Sequence, residues 1–217
     1  VANATTTPLT AETLRYGAEQ LAAADPDLGH LYERLGTPPL WAREPGFATL
    51  IRIILEQQVS LKAARTLYRR VHTHLGEMSP QAVLIAGEAG LKALGLTRQK
   101  ARYCYQLAQR IYTGQLRLDR LEMLNDPEGR QTLLAIPGLG PWSVDIYYLM
   151  ALRRPDIWPR GDLALATALQ DVKKLEAPAT HHQQQRFARA WAPWRAIAAR
   201  LLWMHYLELR GGGPYVP

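Results

Sequence analysis

Residues Leu133-Leu134-Ala135-Ile136-Pro137-Gly138-Leu139-Gly140-Pro141-Trp142-Ser143 decide how this chain is read. Apolar residues flank a short Pro-Gly-x-Gly break, so the stretch predicts two helices joined by a tight reversal. Glycine suits such a reversal because it takes positive φ without steric penalty and lets another backbone come close. Pro141 fits the first turn of the second helix, where a missing N–H costs nothing. That helix is predicted to run to about Leu152. Further on the chain reads Trp158-Pro159-Arg160-Gly161-Asp162, followed by Leu163-Ala164-Leu165-Ala166. Asp162 is thereby placed to cap the start of another helix.

Outward from this stretch, helical periods are common and alternating β patterns are scarce. Thr10 caps a helix to about Ala23, with Glu12 in its first turn. A short helix near 27–35 ends at Gly36, and Thr37-Pro38-Pro39 breaks the chain. From Phe47 to about Gln57, Leu50, Ile51, Ile54 and Leu55 share one face. Ser60 caps a helix to about Leu75, and Gly76 stops it. Ser79-Pro80 opens another. Leu91 to Leu96 is a short turn around Gly95. Thr97 caps a helix whose face is Ala101, Cys104, Tyr105, Ala108 and Ile111, and Asn125-Asp126-Pro127-Glu128 starts the next. Asp162 opens a helix to about Lys174, and two more follow near 179–191 and 193–209. Residues 1–8 form a loose tail, and the glycine run 211–213 ends the ordered chain. The expected fold is all-α, in two helical lobes. Residues 45–155 form a central lobe ending in the helix–hairpin–helix, and 1–44 with 156–217 form the second.

Composition narrows the classes. With 217 residues, 47% of them hydrophobic, the chain can bury a core. A net charge of +7 fits a polyanionic partner. Cys104 is the only cysteine, which excludes an internal disulfide, a multi-cysteine zinc site and a cysteine-ligated iron–sulfur cluster. The histidines show no H-x-x-x-H spacing, and His181-His182 reads as an exposed helix pair. No apolar run approaches the roughly 18 residues of a membrane span. Val1 to Pro8 is polar and Thr-rich, with no secretory character. A soluble protein of a bacterial cytoplasm is expected, because no basic targeting cluster is present; in a eukaryote the place would be the nucleus.

The hairpin has chemistry available to it. The amides of Gly138 and Gly140, at a helix N-terminus, carry partial positive charge and suit a phosphate. Such a contact positions DNA without reading its sequence. The same residues serve equally as a plain structural turn. A nucleotide-binding glycine loop is disfavoured because no strand precedes it. For Asp162, capping alone accounts for the residue. A carboxylate there can also stand beside a sugar, stabilise an oxocarbenium-like centre or orient water onto it. Glycoside hydrolysis uses that charge logic, with two carboxylates as the rule. Asp145, one turn into the hairpin helix, reads as structural.

Two further stretches complete a pattern: Leu50-Ile51-Arg52-Ile53-Ile54-Leu55-Glu56-Gln57-Gln58-Val59-Ser60, and Trp191-Ala192-Pro193-Trp194-Arg195 with Trp203 on the same helix. In order and spacing, from about Phe47 to Tyr206, the chain resembles the helix-hairpin-helix DNA glycosylase superfamily. Within it the likeness is to the alkylated-base (3-methyladenine II, AlkA-type) branch. The resemblance implies a DNA-binding and active-site cleft between the two lobes, with Asp162 as the essential aspartate and Trp142 and Trp203 lining a base pocket. It makes Gly138, Leu139 and Gly140 the phosphate-binding hairpin, and Gln58 the side chain that wedges into the duplex. It lets the carbonyls of Leu134, Ile136 and Leu139 hold a Na+ or K+ ion beside the phosphate. Read without it, Trp142 and Trp203 are plain core tryptophans, and Gln57 and Gln58 simply end a helix.

The departures are informative. The position of the catalytic lysine in endonuclease III-like enzymes is Trp142 here, so no Schiff base can form there and strand-cleaving lyase activity is not expected. A pocket aromatic of the AlkA type is Ile146 here; Tyr147 or Tyr148 can compensate, and Tyr148 is the candidate. The β-rich N-terminal domain of longer members has no room in this chain. The resemblance implies a monofunctional glycosylase that flips alkylated purines out of double-stranded DNA and releases them, acting as a monomer with no cofactor beyond the alkali cation. The alternatives are a non-catalytic hairpin DNA-binding protein, and a glycosylase for deaminated, etheno or mismatched bases. Arg160 is a candidate phosphate contact. Arg153, Arg154, Lys62, Arg65, Arg98 and Lys100 are either further contacts or a solvated basic surface.

Overall fold

The computed structural model describes residues 7–121 and 124–211, and among them there are twelve α-helices, one π-helical turn and no strand. The tail expected over 1–8 lies outside the described residues up to Thr6, as does the glycine run beyond Gly211.

Polar caps set most helix starts. α1 (Ala11–Ala24) begins at Thr10, which exchanges hydrogen bonds with Thr13 in a capping box. Asp25 caps α2 (Pro26–Leu35). After α3 (Phe47–Glu56), Ser60 caps α4 (Leu61–Leu75), Ser79 caps α5 (Pro80–Ala93) and Thr97 caps α6 (Arg98–Tyr112). The short α7 (Leu118–Leu121) precedes α8 (Asp126–Leu134), capped by Asn125. α9 (Pro141–Ile146) continues into the π-helical turn Tyr147–Ala151. Asp162 caps α10 (Leu163–Val172), Thr180 caps α11 (His181–Ala190), and α12 (Arg195–Leu209) ends the helical series. Each such side-chain cap is worth about 1 kcal/mol over alanine.

Two local expectations are corrected. The turn placed over Leu91–Leu96 is shorter, at Leu94–Gly95 (Gly95 φ 99°), with the chain helical up to Ala93, and α5 carries a further break at Gly87 (φ 65°, ψ 173°). On α6, Leu107 joins Ala101, Cys104 and Ala108 in the core, while Tyr105 and Ile111 are only half-buried. Burial pushes the Cys104 thiol up to about 12, so it is an inert apolar filler at neutral pH.

The chain divides into two compact units, Glu44–Tyr147 and the residues up to Arg43 together with those from Tyr148 on. In the first unit α3 is the central element, with Leu50, Ile51, Ile53, Ile54 and Leu55 fully enclosed, and it packs on α4, α6 and α9. In the second unit α12 is central and touches α1, α2, α10 and α11. Its apolar surface is buried nearly all round, as a helix lacking a polar face requires.

The stretch 148–153, read from the sequence as the end of the central lobe, bonds instead within the second unit. The Arg43 and Leu9 amides donate to the carbonyls of Met150 and Arg153. Arg200, wholly buried, donates to the carbonyls of Leu149 (2.8 Å), Leu40 (2.9 Å) and Ala196 (2.9 Å). Burial pushes its guanidinium down to about 9, so it is still cationic at neutral pH. A charge enclosed this way persists because carbonyl oxygens replace its water.

A second polar node closes the same unit. Asp25 accepts from Lys173 Nζ and Trp191 Nε1, each at 2.8 Å. Burial by itself would raise its pKa; the bonds from Lys173 and Trp191 outweigh that and hold it below the ordinary 3.8. A depressed carboxylate stabilises the fold above its ordinary value, and the contribution drains away as pH falls through the lower folded value.

Arg200→Leu removes the side-chain donor from the carbonyls of Leu40, Leu149 and Ala196. We expect a loss of about 3 kcal/mol, read as a melting temperature lower by roughly 6–12 °C for a chain of this size. An unchanged thermal melt would remove Arg200 from this role. Asp25→Asn is expected to flatten the acid limb of urea-unfolding stability measured from pH 6 down to pH 3, and an unaltered limb would show that Asp25 is not its source.

Candidate active site

The hairpin is built on one obligatory glycine. Gly138 has φ 91°, and a Cβ there would lie 2.4–2.7 Å from Tyr103 ring and Cβ atoms. Both the backbone sign and the aromatic pressed against it exclude any side chain. Gly140, unlike Gly138, does not take positive φ. It is the N-cap of α9 with φ −78° and ψ 177°, and a Cβ there would meet nothing within 4 Å. The fold therefore does not demand glycine at 140, and the backbone there is bare and exposed. The Leu139 amide is used internally, donating to the Ile136 carbonyl at 3.1 Å. Leu134 ends α8, so its carbonyl is among those a helix leaves to an outside partner.

The loop after α3 is tied to this hairpin. Gln57 Nε2 donates to the Gly138 carbonyl and to Ser143 Oγ, both at 2.8 Å. Lys100 Nζ donates to the Leu55 (2.7 Å) and Gln57 (2.9 Å) carbonyls, closing the C-terminal end of α3. Burial pushes the Lys100 ammonium pKa down. Lys100 is thus a structural tie rather than a free basic surface. Gln58 follows in a left-handed conformation, φ 55°, which costs a residue with a Cβ roughly 1–3 kcal/mol. Gln58, Val59 and Ser60 are exposed, and beside them Val59 and Leu61 present apolar surface at 44% and 42% exposure.

In the second unit the structure brings Asp162 and Trp203 together. Asp162 is 7% exposed, and its Oδ1 accepts from the Leu165 amide (2.9 Å) and from Trp203 Nε1 (3.3 Å). Gly161 (φ 76°) turns the chain into the cap. Trp203 is 8% exposed, and Trp41 lies against it with ring centroids 6.3 Å apart. The sequence reading missed Trp41. Its signal, an aromatic after the Pro38-Pro39 break, has no helical period to interpret. It also missed Tyr103 and the tasks of Gln57 and Lys100, which depend on partners far along the chain.

The remaining candidates are placed as follows. Trp142 is half-buried in the first turn of α9. Tyr148 lies in the π-helical turn and is enclosed, at 1% exposure. Arg160 is half-buried in the turn before Asp162. Arg154 is buried, so it is not a surface contact. Asp145 is buried and paired with Arg130, in keeping with a structural part. None of these residues lines the open groove of about 710 Å³ bounded by Thr66, Arg69, Arg70, Thr73, His74 and Leu94. Among the described residues no group of three His, Cys, Asp or Glu side chains could hold a metal, and no helix is long and apolar enough to cross a membrane.

An all-α chain with a Pro-Gly-x-Gly hairpin feeding one helix, and an aspartate capping another, defines the helix–hairpin–helix class of DNA-repair proteins. A family model described as HhH-GPD superfamily base excision DNA repair protein matches residues 51–193, and the chain belongs to that superfamily. It is 31% identical over 192 residues to a Mycobacterium tuberculosis protein named "Probable bifunctional transcriptional activator/DNA repair enzyme AlkA", covering 83% of this chain and 37% of that one. It is 29% identical over 186 residues to Escherichia coli DNA-3-methyladenine glycosylase 2, covering 78% of this chain and 62% of the relative. The chain therefore spans less than two thirds of either bacterial relative. The Schizosaccharomyces pombe 3-methyladenine DNA glycosylase Mag1, solved in complex with abasic DNA, shares the fold with a TM-score of 0.82 at 24% identity, over 87% of this chain and 95% of that one.

The two hairpin glycines separate by stability. Gly138→Ala is expected to cost about 2–4 kcal/mol from wrong-signed φ and the Tyr103 clash. Gly140→Ala should cost no more than about 1 kcal/mol, the difference between glycine and alanine at an N-cap. Urea unfolding of the two variants checks this, and equal losses would refute it.

Proposed function

We propose that this chain is a monofunctional DNA glycosylase that excises alkylated purines of the 3-methyladenine and 7-methylguanine type from double-stranded DNA. The observation that carries the reading is the Asp162–Trp203 pair. A carboxylate oxygen is held by a helix-start amide and by the indole N–H of a tryptophan, so its direction is fixed before any substrate arrives. Preorganised charge of this kind acts where charge develops in the transition state.

The chemistry follows from the leaving group. A base in the duplex must first be turned out of the stack, at a cost of a few kcal/mol that falls for a weakened pair. An alkylated purine is cationic and is drawn to an electron-rich indole face such as that of Trp203 or Trp142. Its charge makes it a good leaving group, so no strong general acid is required. As the C1′–N bond breaks, the bond pair leaves with the purine and the sugar becomes cationic. Asp162 stabilises that cation and orients water onto C1′; as the C1′–O bond forms, the water loses a proton to the solvent. The products are the free base and an abasic site. Trp142 takes the position where related lyases carry an amine, which supports hydrolysis without strand cleavage.

The first unit would hold the DNA. The bare backbone at Gly140 and the α9 start suit a phosphate. Carbonyl oxygens are hard donors suited to an alkali cation, and the Leu134 carbonyl at the end of α8 is open to such use. With those of Ile136 and Leu139 it would hold the ion, which would add positive charge beside the phosphate. Gln58 would fill the space the base vacates. Arg160 adds a cation just before the aspartate. We assign the protein as a monomer on DNA, with no organic cofactor.

Asp162→Asn is the test. Asparagine caps a helix as well as aspartate does, so folding and DNA binding should persist. Release of 3-methyladenine from methylated DNA should fall by about a hundredfold or more. Excision at the wild-type rate would sink the mechanism. Borohydride added during turnover should trap no covalent protein–DNA adduct, and a trapped adduct would overturn the monofunctional assignment.

A further inference from the structure

We propose that Gln57 is a positioning residue that joins phosphate capture at the hairpin to gap filling by Gln58, so that the two act as one rigid piece. This inference rests on the DNA-holding reading above and deepens it.

The geometry is specific. Both amide hydrogens of Gln57 Nε2 are spent, one on the Gly138 carbonyl and one on Ser143 Oγ, each at 2.8 Å. These two acceptors bracket the hairpin and the first turn of α9. The Gln57 carbonyl is held on its other side by Lys100 Nζ at 2.9 Å, and the same ammonium holds Leu55 at 2.7 Å. The peptide leading into Gln58 is thus fixed from two directions. The fixed peptide presents Gln58 at φ 55°, with its side chain on an exposed edge beside the apolar Val59 and Leu61. Apolar side chains at such an edge are also the kind that insert between base steps and kink a duplex.

The consequence is mechanical. When the hairpin meets a phosphate, Gly138 is seated, and the edge bearing Gln58 is placed at a set distance along the same strand. Gln57 touches neither phosphate nor base. Its effect passes through Gln58, which separates it from a residue that merely stabilises the fold.

The experiment uses the full chain as wild type, Gln57→Met, Gln58→Ala and the double variant. One arm measures single-turnover release of 3-methyladenine at saturating protein. The other follows the fluorescence of 2-aminopurine placed beside a tetrahydrofuran abasic analogue in a duplex. Gln57→Met should slow release and reduce the fluorescence change about tenfold, as Gln58→Ala does, with a melting temperature close to wild type. The double variant should match Gln58→Ala within about twofold, the mark of residues acting as one unit. Wild-type behaviour of Gln57→Met, or a double variant reduced by the product of the two single effects, overturns the proposal. If Gln57→Met does not fold, Ser143→Ala, which removes one of its two acceptors, must show a partial loss of about threefold in the fluorescence arm, and no loss there overturns it equally. A wild-type protein that releases no base counts against the glycosylase reading alone, because the fluorescence arm still decides the role of Gln57.

Discussion

Every helix leaves amide hydrogens unpaired at its start and carbonyl oxygens unpaired at its end, and a protein made only of helices must find partners for all of them. That constraint organises this molecule. Thr10, Ser60, Ser79, Thr97, Asn125 and Thr180 answer it with local side-chain caps. Lys100 answers it for the end of α3, and Arg200 does so for the Leu149 carbonyl in the π-helical turn after α9. The residues proposed to act on DNA stand at the same places. Asp162 caps α10, and Gly140 opens α9.

Capping and chemistry coexist at Asp162 because a carboxylate has more acceptor capacity than a cap consumes. The helix supplies the Leu165 amide, and the indole of Trp203 supplies a second donor to the same oxygen. An aromatic suited to hold a purine is thereby attached to the group that would act on its sugar. Trp41, packed beside Trp203, limits how that ring can tilt. Among the described residues, a similar economy governs the hairpin. Gly138 is glycine for conformation and for the Tyr103 ring, while Gly140, free of both demands, leaves its backbone bare to the outside.

Much of this was legible in the order of residues. Cap residues and glycine stops mark α1, α2, α4, α6, α8 and α10 because the signals are local and chemical. Asp162 as a cap, and Gly138 as the pivot of a reversal, follow from the same short-range rules. The reading went astray where a distant partner decided. Residues 148–153 carry no mark telling them to bond with Arg200, Arg43 and Leu9 rather than to extend the hairpin lobe. Lys100 looked like one more surface cation until the carbonyls of Leu55 and Gln57 closed on it.

An all-helical chain, the positions of its caps and its hairpin, and the membership that motif spacing implies are all written in the order of residues, because hydrogen bonds within a few residues and helical periodicity are properties of neighbouring atoms. That Trp203 donates to Asp162, that Gln57 binds the hairpin and that Arg200 lies wholly buried follows from packing. Those contacts join residues tens to more than a hundred positions apart, and their geometry exists only once the helices have packed.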